Sequence, residues 1–116
     1  MISKDIKALL DRVQRIQSDH TKVGVIKKIV ADEFNVSINK ITSNTRKQKY
    51  VYARNIAFMI SRDLTTLSLS NIGLHFNRDH ATIIHSTSAI IRDMDTDAHL
   101  HDKYKKCYRR AKQYLK

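Results

Sequence analysis

Apolar residues recur with a helical period along almost the whole of this chain. Over residues 4–18, Ile6, Leu9, Leu10, Val13 and Ile16 form one stripe, with Ser3 placed to cap its start. Residues 22–34 carry Val23, Ile26, Ile29, Val30 and Phe34, and Thr21 reads as the cap of a second helix. VSINKI, residues 36–41, reads as a short helical turn opened by Ser37, and TSNTRKQ, residues 42–48, as a polar, basic loop. A long helix over about 49–64 turns Val51, Ile56, Met59, Ile60 and Leu64 inward. Ser68 caps a short helix, 69–76, that holds Leu69, Ile72 and Phe76. Asp79 caps another over about 80–93, and a last amphipathic helix runs from about 97 to 114. No stretch alternates cleanly, so the predicted fold is all-α, a compact helical bundle.

The pair 69–76 and 80–93 is joined by Asn77, Arg78 and Asp79, the length of a helix-turn-helix connection. Such a turn needs one residue at positive φ, and Asn77 is the cheapest non-glycine choice. Gly73, mid-helix, costs about 1 kcal/mol against alanine and is expected to mark another helix passing close above it. An ordinary αα-hairpin would fit this geometry equally well. The second helix breaks the tie. At 100° steps, Ile83, Ile90 and Ile91 cluster on one side with Ile84 at the margin, while Ala81, Thr82, His85, Ser88 and Ala89 fall on the other. That outward face is small, neutral and hydrogen-bonding, with no Lys or Glu through Ile91. A solvated face is rich in both, whereas a face that slides against base edges needs small side chains with polar tips. Arg78, Asp79 and His80 project from the N-terminal end, the end a recognition helix presents to the major groove.

Charge points the same way. Lys and Arg number 22 against 11 acids, a formal +11 that favours a polyanionic partner, here double-stranded DNA. The cations come in blocks. From Asn39 to Arg62 there are Lys40, Arg46, Lys47, Lys49, Arg54 and Arg62 and no acid, and residues 103–116 carry seven more. At 116 residues the chain is one domain's worth. No apolar run is long enough to cross a bilayer and no signal peptide opens the chain, so no membrane partner is expected. A single cysteine, Cys107, fits a reducing cytoplasm, where a DNA partner would make the protein nucleoid-associated. A metal site is not expected. His80 and His85 lie about 140° apart around a helix, and His99 and His101 have no further ligands in pattern. Asp79, His80 and Ser86 point in different directions and no nucleophile elbow is present, so an enzyme is not expected. With Gly24 and Gly73 the only glycines, there is no phosphate-binding G-x-x-x-x-G-K-[ST] loop, and neither ATP nor another cofactor is expected. In the C-terminal basic helix, Tyr104, Tyr108 and Leu115 read as core contacts rather than as a membrane-facing set.

RDHATIIHS, residues 78–86, resembles the signature RDHTTVLHA of the C-terminal DNA-binding domain of the bacterial replication initiator DnaA. ARNIAFMISRDLTTLSLSNIGLHFNRDH resembles that domain's Ala-Arg, long helix, Leu-Thr, Ser-Leu-x-x-Ile-Gly and Phe-Gly-Gly-Arg-Asp-His, and IVADEFNVSINKITSNTRKQ its opening helix, short helix and basic loop. The resemblance covers roughly 21–110 and leaves 1–20 as an extra N-terminal helix before a helix-turn-helix domain at 21–116. It implies a role in replication initiation or its regulation through binding to a DnaA-box-like site. Arg46 would enter the minor groove. Arg54, Asn55 and Arg62 would meet the DNA backbone, with Lys47, Lys49 and Arg78 also on the DNA. Asp79, His80, Ala81 and Ile84 would meet bases in the major groove, and Thr82 and His85 would touch phosphate or support docking. The chemistry agrees: Asp can accept from cytosine N4, His can donate to a purine N7, and a methyl can pack on thymine.

Three departures bear on the target sequence. Ala81 replaces the usual threonine, Phe-Asn-Arg shortens the turn by one residue, and Ser70 stands where proline is common. With no ATPase loop, the resemblance implies either an excised domain or, as the opening Met and the 4–18 helix favour, a free-standing DnaA-like protein from a phage or mobile element. The host initiator or other replication proteins are its candidate partners. The competing expectation is a Trp-repressor-type regulator that binds operator DNA as a dimer through a similar helix-turn-helix.

Overall fold

The first two predicted helices are one. In the computed structural model, which describes residues 3–115, α1 runs unbroken over Lys4–Phe34. Ser3 caps it as expected, its hydroxyl accepting from the Ile6 N–H at 3.2 Å. No break falls near residue 20, because the polar side chains there do not cap. Thr21 turns its hydroxyl back to the Gln17 carbonyl, a bond a continuing helix tolerates. Asp19 reaches across to accept from both the backbone N–H and the hydroxyl of Thr66. The helix ends at Asn35, in the left-handed region at φ 53°, where the Val36 N–H returns to the Ala31 carbonyl in a Schellman closure.

Serine and aspartate caps then set the remaining helix starts. Ser37 opens α2 (Ile38–Ile41), Ser68 opens α4 (Leu69–Leu74), Asp79 opens α5 (His80–Thr96) and Asp97 opens α6 (Ala98–Tyr114). Only α3 (Gln48–Leu64) starts without a side-chain cap. Two ends differ from expectation. α4 stops at Leu74 rather than 76, because His75 and Phe76 tighten into short-range turns onto Ile72 and Gly73. α5 runs on to Thr96, since nothing interrupts it before Asp97 takes the extended backbone that capping α6 requires.

α3 is the central element and is buried without interruption from Ala53 to Ser61. The second half of α1 packs against it, α5 lies against it too, and α6 bridges α1 and α5. Phe58 of α3 meets Phe76 edge-on with ring centroids 4.6 Å apart, and Ile56, Ile60, Ile72, Ile83 and Ile90 complete a fully enclosed centre. Tyr104, Tyr108 and Leu115 of α6 pack against that core as expected. Cys107 is buried there as a free thiol, pushed up to about 12 by burial and then by the Glu33 charge. Among the described residues, nothing packs on the first half of α1, whose residues are exposed from 4 to 18. It stands clear of the body and gives the molecule a long dimension of 56 Å against 28 and 25 Å.

The close approach at Gly73 comes from the turn, not from another helix. A β-carbon there would lie 2.2 Å from the Arg78 carbonyl oxygen. The Arg78 N–H returns to the Gly73 carbonyl at 2.9 Å, and Asn77 takes the left-handed φ of 57° that the reversal needs. On helix propensity alone Gly73→Ala would gain about 1 kcal/mol. With backbone on the other side of the contact, we expect a loss of about 2 kcal/mol or more in urea unfolding. A gain would show that the turn can shift freely.

The same turn is tied to α1. His20 Nδ1 lies 2.8 Å from His75 Nε2, and Lys27 donates to the His75 carbonyl at 3.0 Å while sitting over the Phe76 ring. A bond between two imidazole nitrogens needs one donor and one acceptor, so the accepting ring must be neutral. Burial, then the Lys27 and His20 charges, hold His75 below its usual 6.5. The folded state therefore binds fewer protons here than the unfolded chain. Stability fully present above about pH 6.5 is lost as pH falls through the folded value. Urea midpoints measured between about pH 7 and pH 5 should fall more steeply for the native chain than for His75→Gln. Equal slopes would remove the pair as the cause.

Candidate nucleic-acid interface

The exposed face of α5 is close to the predicted one. Ile83, Thr87 and Ile90 are buried, while His80, Ala81, Ile84, His85 and Ser88 are exposed and Thr82 is half-buried. Ile91, expected inward, is half exposed, and Thr87 fills the inward position instead. A threonine can do so because its hydroxyl is satisfied on both sides. It donates to the Ile83 carbonyl and accepts from Arg62 Nη1 at 3.1 Å, which also ties α3 to α5.

At the head of α5, one oxygen of Asp79 accepts from the Thr82 N–H at 2.8 Å. That backbone bond, followed by the Thr82 hydroxyl, holds the Asp79 carboxyl below its ordinary range. The aspartate therefore stays ionised on a strongly basic molecule, at the helix end where negative charge is favoured. His80 is exposed beside it on the first turn.

The basic loop lies between α2 and α3. Arg46 and Lys47 are exposed on it, and Lys49 is exposed on the first turn of α3. The loop's shape is imposed from beneath by Arg54. Its Nε donates to the Ile41 carbonyl at 2.6 Å, and its Nη2 donates to Ser43 at 3.1 Å and Thr45 at 3.3 Å, with a longer contact to Lys40 at 3.5 Å. These carbonyls belong to the last turn of α2 and to the loop after it, where no helical partner remains for them. Arg78 reaches the same place from the helix-turn-helix. Its Nη2 donates to the Ser43 carbonyl at 2.6 Å and its Nη1 to Phe76 at 2.6 Å. Two guanidinium groups thus converge on one oxygen. Burial, then the charge of Arg78, brings the Arg54 guanidinium down to about 10, so it remains charged at neutral pH.

The thirteen residues singled out from the sequence therefore divide. Arg46, Lys47, Lys49, Asp79, His80, Ala81, Ile84 and His85 are exposed, Thr82 is half-buried, and Arg78 bridges the two segments that carry them. Arg62 is exposed but engaged with Thr87. Arg54 and Asn55, expected at the DNA backbone, are buried, and Arg78 is half-buried with its guanidinium on protein carbonyls. Sequence reasoning missed Lys27, His20, His75 and Thr66, whose contacts reach back 47 to 55 residues and leave no local signal. Burial of Arg54 was detectable in principle, since it sits within the inward run around Ala53, Ile56 and Ala57. Among the described residues no group of three His, Cys, Asp or Glu converges as a metal would need, and no helix is long and apolar enough to cross a membrane.

Residues 23–90 match the family described as the bacterial dnaA protein helix-turn-helix. Over 99 residues the chain is 35% identical to the chromosomal replication initiator protein DnaA of Francisella tularensis subsp. novicida, a match covering 84% of this chain and 20% of that protein. The DnaA of Francisella philomiragia matches with the same identity and coverage. A solved crystal structure of a DNA replication initiation factor has the same fold at TM-score 0.70 and 25% identity, over 88% of this chain and 32% of that one. The chain spans about a fifth of the length of the curated relatives it matches.

Asp79 offers a direct check on how the interface is built. As the N-cap of α5, Asp79→Ala should lose about 1 kcal/mol in urea unfolding, while Asp79→Asn should keep most of it. An alanine variant as stable as the native chain would mean that the head of α5 is held by something else.

Proposed function

The chain belongs to the bacterial DnaA helix-turn-helix family, and from that premise we propose that it reads double-stranded DNA sequence-specifically, in replication initiation or its regulation. The site is an asymmetric, DnaA-box-like one, with the head of α5 in the major groove and Arg46 in the adjacent minor groove. The observation that carries this reading is the convergence of Arg54 and Arg78 on Ser43, which joins the basic loop to the turn before the recognition helix. Two prongs fixed to each other can span two grooves without first ordering a loop, a cost that association would otherwise have to meet.

Each exposed side chain then has a task suited to its chemistry. His80 donates to a purine N7, and Ala81 and Ile84 pack on thymine methyls. Asp79 accepts from cytosine N4 with what its capping bond leaves free. Lys47, Lys49, Thr82 and His85 meet phosphate and set register, and Arg62 does so while bound to Thr87. Arg46 reads a narrow, A·T-rich minor groove through its enhanced negative potential. Arg54 and Arg78 act from within, holding the loop and helix in place, while Asn55 is buried in α3. A turn one residue shorter than the family's shifts the start of α5, so the preferred box differs from the usual one. Binding such boxes places the protein on the nucleoid, where it meets the host initiator or other replication proteins competing for the same DNA.

Selection from random duplexes, followed by titration of variants, tests this. Affinity for the selected site should fall with salt by about 0.9 log units per log unit for each phosphate neutralised. His80→Ala should cost about 1–3 kcal/mol and relax choice at one base pair. Arg46→Ala should lose discrimination at one A·T-rich end alone, and Lys47→Ala should weaken all duplexes alike. Indiscriminate binding by the native chain, or identical behaviour of Arg46→Ala and Lys47→Ala, would contradict the two-groove reading.

A further inference from the structure

Residues 103–115 of α6 and its end carry six cations and no acid, and the duplex-reading surface uses none of them. Two are committed to the fold. Arg110 donates to Asp32 at 2.8 Å and to Glu33 at 2.9 Å, and Lys103 lies 4.8 Å over the centre of the Phe34 ring. Lys105, Lys106, Arg109 and Lys112 are exposed and form no ion pair among the described residues. At 100° steps, His101, Lys105, Arg109 and Lys112 share one sector of about 80°, bordered by Tyr104 and Tyr108. The rings form a row. Those of His101 and Tyr104 lie within 17° of parallel with centroids 6.3 Å apart, and Tyr108 follows Tyr104 at 5.9 Å. Lys112 stands 5.8 Å from the centre of the Tyr108 ring. Both tyrosines are half-buried. Each packs on the core and also lines an open cavity of about 540 Å³ whose other walls are Lys105, Arg109, Lys112 and Gln113, a volume typical of ligand clefts.

We propose that this face of α6 binds single-stranded nucleic acid, with bases stacked on His101, Tyr104 and Tyr108 and phosphates held by Lys105, Arg109 and Lys112. The cations call for a polyanion. The rings select the kind. A duplex hides the faces of its bases, so a duplex partner would use the cations and leave the rings idle, whereas a free strand offers base faces and phosphates together. The ring intervals of 5.9 and 6.3 Å exceed the roughly 3.4 Å between stacked bases of a duplex strand, so the row suits bases already drawn apart. A lipid surface would need exposed aliphatic side chains in this sector, and the exposed residues that line it are polar or charged. Two acids stand at its edges, Asp102 on α6 and Asp63 within electrostatic reach of Tyr104, and neither pairs with these cations. The face leaves the basic loop and the head of α5 free, so a strand and a duplex could be held by one chain.

Anisotropy of the full chain with labelled dT and rU oligomers of about 15 nucleotides, the upper site size of many strand-binding domains, tests the proposal. Tyr108→Leu keeps an apolar contact with the core and removes the ring. It should weaken oligomer binding about tenfold, with the salt slope and the thermal transition retained. His101→Ala, fully outside the core, should weaken it about fivefold. The Lys105→Gln/Arg109→Gln double variant should instead flatten the slope of log affinity against log salt by about 1.4, at about 0.7 for each phosphate of a single strand. Ring-dependent binding of either oligomer bears the proposal out, and the tighter of the two identifies the strand as DNA or RNA. A native chain that binds neither oligomer overturns it. So does binding that both ring variants leave intact, or ring variants that weaken a random duplex as much as the oligomers. Neither oligomer forms a duplex with itself, so the result is independent of whether the chain reads double-stranded sites.

Discussion

The carbonyl of Ser43 accepts hydrogen bonds from two arginines that arrive from different parts of the fold, and the interface depends on that junction. Arg54 comes from the buried middle of α3 and Arg78 from the turn between α4 and α5. Burying a guanidinium and setting a second one beside it are both unfavourable, and burial first, then the Arg78 charge, lowers Arg54. The arrangement persists because the carbonyls of Ile41, Ser43 and Thr45, at the end of α2 and in the loop behind it, accept from no backbone N–H among the described residues. Charged donors on neutral acceptors are among the stronger hydrogen bonds available to a protein. The loop is therefore shaped from inside by cations, while Arg46, Lys47 and Lys49 remain on its surface.

The helix-turn-helix is held with the same economy. Gly73 lets the Arg78 carbonyl lie against α4, Asn77 reverses the chain, and Lys27 with His20 fixes the His75 segment to α1. Asp19 ties α1 to Thr66 just before α4. α1 thus does more than fill the core with Val23, Ile26 and Val30. It anchors both ends of the first helix of the helix-turn-helix.

Much of this was legible in the sequence, and what was not has a physical reason. The caps Ser3, Ser37, Ser68, Asp79 and Asp97 are local devices, and the expected caps at Ser3, Ser37, Ser68 and Asp79 are where they were placed. Thr21 misled because a threonine near a polar stretch can cap a helix or bond backward within one, and only the distant Thr66 gives Asp19 its actual role. Periodicity located α5 but misassigned Ile91, since a wheel ranks residues by hydrophobicity and cannot foresee that Arg62 would satisfy a buried Thr87. Gly73 does mark a close approach, but the approaching group is a carbonyl five residues on rather than another helix. Arg54, which the family resemblance implies at the DNA backbone, is buried under the loop, and that burial can be recognised in the sequence only from the apolar register of its neighbours.

A double-mutant cycle on affinity for the selected duplex, with Arg46→Ala and Arg78→Met, tests the junction most directly. If Arg78 acts by fixing the loop, Arg46 loses much of its value once Arg78 is gone, and the two changes should couple by about 1 kcal/mol or more. Additivity within about 0.5 kcal/mol would mean that the loop and the recognition helix bind independently, and that the convergence on Ser43 does not govern how the protein holds DNA.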